Sequence, residues 1–362
     1  MNISTSNLWT GYKRLHVMLM VSFFLCTCFA LFYFMRPRWR CPAQNNVRLT
    51  ENFTENDWVH VAIVGSYFAL KELDVFSAPV KSLLWHRRVP VHLHILGSEN
   101  IVHQIRACNH LFFRISHHDI NTESLYDLGH YNANKYKLLV EKSLLHTDVK
   151  KVIVIDTDLA FFDDVGELYK QFNHFKPEQA IGLAPEYFNQ YADDKRHISH
   201  GGQNCVKAIH YDGHDGFNTG VALLDLEKLR KLNWWMDMVV PASKEVHSCL
   251  QPMGDQDIMN HMLYSNKDLL YVLPYEWHMQ YYCFNPTHFS GRSDVKCKKD
   301  MWKGKVKIGH WNGSAPYAKY LFYFYKNLET SSLDQPFINH LYMKAHDVDI
   351  ETDINELEGF WM

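Results

Sequence analysis

One stretch constrains this chain more than any other: Lys151–Asp164, KKVIVIDTDLAFFD, in which Val152–Ile155 run straight into Asp156-Thr157-Asp158. A continuous run of Val and Ile reads as a strand buried on both faces. The two carboxylates then fall where the strand leaves its sheet. Open α/β sheets hold their ligands at the carboxyl ends of the strands. Two carboxylates one residue apart at such a place can share a hard divalent cation that also touches phosphate oxygens. An acidic turn would show the same three residues, so the rest of the chain has to decide between the two.

The sequence around this strand has α/β character. Val59–Val64 and Val91–Leu96 read as strands, and Phe112–Ile115 as a third. Ala69–Arg87 has helical spacing, with Pro79 marking a kink or break. Ile101–Leu111 reads as helix, and Tyr136–His146 as an amphipathic helix leading into Lys151–Ile155. Strand and helix alternate, which is the pattern of a parallel sheet with crossover helices. No G-x-G-x-x-G follows the first strand, so the dinucleotide fingerprint is missing. Farther on, Asp164–Phe175, Asp225–Leu232, Trp234–His247, Gly254–Tyr264 and Tyr317–Leu328 are expected as helices. Ala180–Leu183, Val221–Leu224, Leu269–Leu273 and Val306–Ile308 are expected as strands, and Glu186–Gly216 as a polar loop.

The N-terminal part has a different character. Val17–Phe34 carries no charge and is long enough to cross a bilayer. Residues 1–16 are expected as a cytoplasmic tail, 17–35 as an uncleaved transmembrane signal anchor and 36–58 as a stem. A folded domain is expected over 59–330 and an acidic tail over 331–362. Arg36, Arg38 and Arg40 make the C-terminal flank as basic as the N-terminal one, so charge does not fix the orientation. Outside the apolar run lie Cys41, Cys108, Cys205, Cys249, Cys283 and Cys297, an even number without C-x-x-C spacing. That disfavours a zinc knuckle and permits disulfides in an oxidising lumen, with Cys283–Cys297 the favoured pair. Asn52-Phe53-Thr54 is a glycosylation sequon. The net charge of −3 gives no clustered basic footprint, so no nucleic-acid partner is expected.

Three later clusters carry polar groups that could join Asp156 and Asp158. Gly216–Val221, GFNTGV, places Asn218, Thr219 and Gly220 just before a strand, and Asn can both donate to and accept from a sugar hydroxyl. Gly254–Asn260, GDQDIMN, puts Asp255 at a helix start, where a carboxylate also serves as a cap. Gly309–Gly313, GHWNG, offers His310 at the end of a strand, as a third ligand to two carboxylates.

These parts, in this order, resemble the family 8 retaining glycosyltransferases of the GT-A fold, and in particular the xylosyltransferase (first) domain of LARGE-type bifunctional enzymes. The shared motifs stand at His60–Val64, His86–Pro90, Lys137–Leu138, Val152–Asp158, Phe217–Val221, Leu226–Lys231, Asp255–Ile258, Leu273–Trp277 and His310–Asn312. The resemblance implies a Rossmann-like single lumenal domain, anchored in the Golgi membrane as a single-pass type II protein. It implies Mn²⁺ on Asp156, Asp158 and His310, and a UDP-sugar donor, UDP-xylose by preference, with a glycan or glycoprotein acceptor. Val64, Gly65 and Ser66 would line the uridine site. Lys137 would face the donor phosphate or sugar, Asn218, Thr219 and Gly220 the donor sugar, and Asp255 its hydroxyls. Gln256 would lie near the anomeric carbon, and Trp311 and Gly313 would also bind substrate. Attack from the front face and a covalent route through Asp257 both remain open. Many relatives carry Lys six residues after the metal His; Pro316 stands there, with Lys319 nearby. The second LARGE-type domain has no counterpart in these residues, so an alternating polymer is not expected from this chain alone. Two other readings compete. A haloacid-dehalogenase-like phosphatase has Thr where Ala160 stands here. A non-catalytic sugar-binding protein shares the fold features but is expected to lose its metal ligands. UDP-glucose or UDP-galactose users share every motif above.

Overall fold

The Val152–Ile155 run forms the strand expected of it, and its two neighbours have opposite orientations. In the computed structural model β1 (Val59–Val64) lies parallel to β4 (Lys151–Ile155), with Val61 opposite Ile153. On the other side β9 (Phe217–Asp225) runs antiparallel, with Ile155 opposite Val221. The structure describes residues 53–64, 72–97, 112–120, 133–187, 206–248, 254–280 and 306–310. All of these fall in the unit Cys41–Met362, one of two into which the chain divides, the other being Met1–Arg40.

Among the described residues the main sheet has the order β10-β6-β9-β4-β1-β2-β3. The remaining strands of this sheet are β2 (Val91–Leu96), β3 (Phe113–His118), β6 (Ile181–Pro185) and β10 (Leu270–Val272), while β7 (His210–Tyr211) and β8 (His214–Asp215) pair as a separate hairpin. β9 is antiparallel to both β4 and β6, while the other pairs are parallel. The sheet is therefore mixed rather than purely parallel. All nine residues of β9 are buried, as a central strand covered on both faces requires.

Helix α1 (Glu72–His86) packs along β5 (Leu159–Phe161), and Ser82 Oγ accepts from the Phe161 amide at 2.9 Å. Pro79 lies inside α1 without breaking it. The helix expected over Tyr136–His146 is instead a 3₁₀ segment, Ala133–Leu139, followed by one α-helical turn, α2 (Val140–Ser143). Tyr136, Leu138, Leu139 and Val140 are all buried, so apolar groups surround the segment rather than forming one stripe. It ends where the Leu144 carbonyl accepts from Thr147 Oγ1 and from Arg230 Nη2, both at 2.7 Å. α3 (Val165–Tyr169) is capped by Asp164, whose carboxylate accepts from the Gly166 and Arg88 amides. Helices α4 (Leu226–Lys231), α5 (Val240–Ser248) and α6 (Asp255–Ser265) follow β9.

The membrane span at 17–35, all the cysteines, the expected helices at 101–111 and 317–328 and the acidic tail lie outside the described residues, as does the expected stem up to residue 52; its last residues, 53–58, include a 3₁₀ turn at Glu55–Asp57 and the buried Trp58. Among the described residues no helix is long and apolar enough to cross a membrane.

β1, β2 and β3 carry a band of imidazoles on one face. Burial first, then neighbouring histidines, hold His94 down to about 2; burial, His60 and Arg114 hold His92 down to about 4, against a small opposing pull from Glu55. Both are neutral in the fold. Below pH 6.5 the unfolded chain takes up protons that the folded form refuses, so this stability is present above pH 6.5 and is lost toward pH 4. We expect urea unfolding in chelated buffer to show stability falling steadily as the pH is lowered across that window. His92→Gln should flatten the slope, and an unchanged slope would contradict the assignment.

Candidate active site

Asp156 and Asp158 occupy the turn between β4 and β5, and the chain then folds back so that β5 pairs with a strand far downstream. β12 (Ile308–His310) runs antiparallel to β5 with His310 opposite Leu159, and β11 (Met279–Gln280) completes this small sheet. That pairing places His310 Nε2 at 3.0 Å from Asp158 Oδ1 and 3.7 Å from Asp156 Oδ2, although His310 and Asp158 are 152 residues apart. One ligand atom from each of the three lies within 4.8 Å of the others.

His310 is held from behind. Its Nδ1 lies 2.8 Å from Nε2 of His278, which is fully buried and kept neutral by burial and by the positive charge of His310 and Lys137. A neutral His278 accepts from the His310 Nδ1–H, which leaves His310 Nε2 to face the carboxylates. A partner on the far ring nitrogen is what orients imidazole ligands in metal sites. Burial lowers the pKa of His310, but Asp158 and Asp156 outweigh it and raise the net value, so the site without a cation keeps a proton where a cation would sit. The ring lies against Gly220 of β9. A Cβ on Gly220 would overlap His310 Cε1 and stand 2.6 Å from Nδ1. Two carboxylates, one oriented imidazole and a glycine that leaves room for the ring fit a divalent cation.

A second half of the site adjoins the first. Lys137 Nζ lies 2.8 Å from Asp156 Oδ1 and 3.0 Å from Asp255 Oδ2, and it donates to the Thr219 carbonyl at 3.2 Å. Burial would lower its pKa; the two carboxylates reverse that and keep the ammonium charged. Between Leu183 and Ala184 the β6–β9 register shifts, so Ala184 faces Asn218 while Leu183 faces Ala222. Thr219, Gly220 and Val221 are thereby released from β6. The Thr219 amide donates to Gln256 Oε1 at 3.3 Å, its hydroxyl to Asp255 Oδ2 at 2.7 Å, and the Gly220 amide to Asn218 Oδ1 at 2.8 Å. Bulges of this kind re-aim side chains at functional sites. Asn260, one turn along α6 from Gln256, accepts from the Phe217 amide and donates to its carbonyl, clamping α6 to β9. Gly254 precedes α6 with φ 147°, a conformation open to glycine alone in practice.

Lys137, Asp156, Asp158, Asn218, Thr219, Gly220, Asp255, Gln256 and His310 are thus brought together. Asn218, Thr219 and Gly220 sit within β9 rather than in a turn before it. Asp255 opens α6, but its carboxylate binds Lys137 and Thr219 across the cleft. Asp257 is buried on the same helical turn, about 200° round the axis from Asp255. Val64 ends β1. Gly65, Ser66, Trp311, Gly313, Pro316 and Lys319 lie outside the described residues.

Two residues were missed by the sequence reading. Glu186, directly after β6, accepts from Asn218 Nδ2 and Gln256 Nε2, both at 2.8 Å. It occupies the end of a buried strand, as Asp156 does, and that was the available signal. His278 is one histidine among 23, and its sequence gave none.

Residues 47–316 match the pattern of Glycosyl transferase family 8. The chain belongs to that family. Among curated family 8 relatives, the xylosyl- and glucuronyltransferase LARGE1 of Danio rerio is 34% identical over 269 residues, 70% of this chain and 32% of the relative. LARGE1 of Homo sapiens is 32% identical over the same shares. The chain thus spans about a third of the length of these relatives. Among solved structures, mouse xyloside xylosyltransferase 1 (apo form) matches with TM-score 0.54 at 20% identity, over 71% of this chain and 98% of that one. The galactosyltransferase LgtC, solved with donor and acceptor sugar analogs, matches with TM-score 0.55 at 17% identity, over 76% and 98%. At those identities the two structures bear on the fold only.

Gly220→Ala tests the ring contact, because Gly220 is not among the residues of positive φ and its backbone tolerates alanine. We expect divalent-cation affinity, read by EPR titration with Mn²⁺ as the probe ion, to fall about tenfold or more in a folded variant. Unchanged affinity would contradict the placement of His310.

Proposed function

We propose that this chain is a retaining, Mn²⁺-dependent glycosyltransferase that moves xylose from UDP-xylose onto a glycan of a glycoprotein acceptor. We place it in the Golgi membrane as a single-pass type II protein with its catalytic domain in the lumen. The observation that carries the reading is the Asp156–Asp158–His310 triad beside the Lys137–Asp255 pair, at the carboxyl end of a buried strand. The preference for xylose rests on the LARGE relatives, whose names record xylosyl transfer.

A divalent cation in the triad would neutralise charge on the departing diphosphate. The residues of the chain do the remaining work. Lys137, held charged between two carboxylates, adds a fixed positive group beside the leaving side. Asp255 and Asn218 present oxygen and amide groups to donor hydroxyls, and Thr219 holds Asp255 in place through its hydroxyl. As the bond from the anomeric carbon to the diphosphate breaks, the sugar gains positive character. A nearby amide or carboxylate oxygen lowers that barrier, as it does in glycoside hydrolysis. Gln256, fixed by Thr219 and Glu186, is the group we assign there. The acceptor hydroxyl then forms the new bond on the face the diphosphate leaves, its proton passing to the departing diphosphate oxygen; the burial of Asp257, about 200° round α6 from Asp255, does not favour it as the nucleophile of a covalent route.

Incubating the full-length chain with Mn²⁺ and each UDP-sugar in turn tests the donor, with UDP release as the readout. UDP-xylose should give the fastest release. A faster UDP-glucose or UDP-galactose reaction would overturn the donor assignment, and no release from any donor, with or without glycan acceptors, would overturn the enzyme reading. Asp158→Asn should abolish release in a folded protein. Gln256→Ala should lower kcat by about tenfold to a thousandfold while leaving donor KM nearly unchanged. A change confined to KM would remove Gln256 from the anomeric position.

A further inference from the structure

A second group of ligating side chains lies on the other half of the sheet. β1, β2 and β3 are parallel and in register, so His60 faces His92 directly, and His94 stands two residues along β2 on the same face. Across the next pair His94 faces Ser116, and Leu96 faces His118. One ring nitrogen each from His60, His92 and His94 lies within 4.8 Å of the others. We propose that His60, His92 and His94 form a second divalent-cation site of zinc type, built from imidazole alone and separate from the Asp156–Asp158–His310 triad.

The surrounding contacts are those a His₃ site needs. His94 Nε2 lies 3.0 Å from His60 Nδ1, while His94 Nδ1 is held by His118 Nε2 at 2.9 Å. His92 Nε2 bonds Ser116 Oγ at 2.7 Å, which leaves its other ring nitrogen available. Two of the three ligands therefore already have the partner on the far ring nitrogen that fixes a metal-binding tautomer. Without an ion the same rings are satisfied as a hydrogen-bonded chain in which His60 donates to His94 and His94 donates to His118. Binding requires His60, which is partly exposed, to move its proton from Nδ1 to Nε2. The His60–His94 separation must also open by a few tenths of an ångström, toward the edge of about 3.3–3.4 Å in a tetrahedron with Zn–N of 2.0–2.1 Å, and the His92 and His94 rings, stacked with centroids 4.2 Å apart, must turn so that a nitrogen of each points at the ion. The depressed pKa values of His60, His92 and His94 keep their lone pairs free at neutral pH. Among the described residues the side-chain charges of fixed sign that act on His60 and His92 are Arg114 and Glu55, which pair with each other at 2.7 Å and largely cancel.

Chemistry and position both separate this site from the triad. Imidazole-only donors suit Zn²⁺, Cu²⁺ or Ni²⁺, whereas carboxylate-rich sets suit Mg²⁺ and Mn²⁺. His60 is the second residue of β1, near the end of the strand opposite the crevice at its carboxyl end. An ion there would join β1 and β2, and through His118 the edge strand β3, as a clasp on one margin of the sheet.

The test uses the full-length chain with Asp158→Asn, which disables the first site. The protein is stripped with chelator, dialysed against Zn²⁺ alone and analysed for metal. We expect about one zinc per chain, lost when His92→Gln or His60→Gln is added, with folding of each variant checked by circular dichroism. Substituting Co²⁺ reads the site without altering it, since nitrogen ligation in a tetrahedral site gives visible d–d bands. Zinc retained in both histidine variants, no zinc in the Asp158→Asn chain, or intense thiolate charge-transfer bands from Co²⁺ on cysteine would each overturn the proposal.

Discussion

Carboxylates at the end of a buried strand must be compensated, and this requirement organises the site. Asp156, Asp158 and Asp255 converge at the edge of a hydrophobic sheet, where three negative charges cannot remain without partners. Lys137 sits between Asp156 and Asp255, and His310 closes on Asp158 and Asp156. These two cationic groups arrive from opposite directions in the chain. Lys137 comes from a 3₁₀ segment before β4, and His310 from a strand near the end of the described region. Burial raises the pKa of Asp156 more than Lys137 lowers it, so the carboxylate is left short of positive charge. A divalent cation is the natural third partner for such an arrangement.

The topology turns this requirement into a cleft. An antiparallel strand, β9, lies between β6 and β4, and its bulge frees Thr219 and Gly220 from the β6 ladder. The released groups bind Asp255 and Gln256 of α6 on one side. On the other side the bare backbone of Gly220 lets the His310 ring lie against the sheet. A single irregularity in one strand thus couples the metal half of the site to the half that would hold sugar. Glu186 and Asn260 lock α6 to the same strand, so the first turn of α6 cannot drift without breaking bonds to β9.

Much of this was legible from sequence because buried strands announce themselves. Val59–Val64, Val91–Leu96 and Lys151–Ile155 were read with their observed boundaries, since continuous Val and Ile leave little alternative. The Asp156, Asp158 and His310 set followed from their placement after strands and from family resemblance. The orientation of β9 was not legible, because GFNTGVALL reads the same whether the strand is parallel or antiparallel. The bulge was hidden for a related reason: of the two glycines that looked like a turn, Gly216 precedes β9 and Gly220 lies within the bulge. The Tyr136–His146 pattern pointed to an α-helix, but burial on several sides and the capture of the Leu144 carbonyl by Arg230 cut it short. His278 acts only through His310, and no local pattern marks a residue whose role is to orient another.

The central claim is that the carboxylate pair and His310 hold one divalent cation against a nucleotide diphosphate. Crystals of the full-length chain grown with Mn²⁺ and UDP, with diffraction recorded at the manganese absorption edge, test it most directly. The account predicts one strong anomalous peak within about 2.5 Å of Asp156, Asp158 and His310 Nε2, with the diphosphate of UDP in contact with it. A peak elsewhere with His310 still hydrogen-bonded to Asp158, or UDP bound away from the triad, would contradict it.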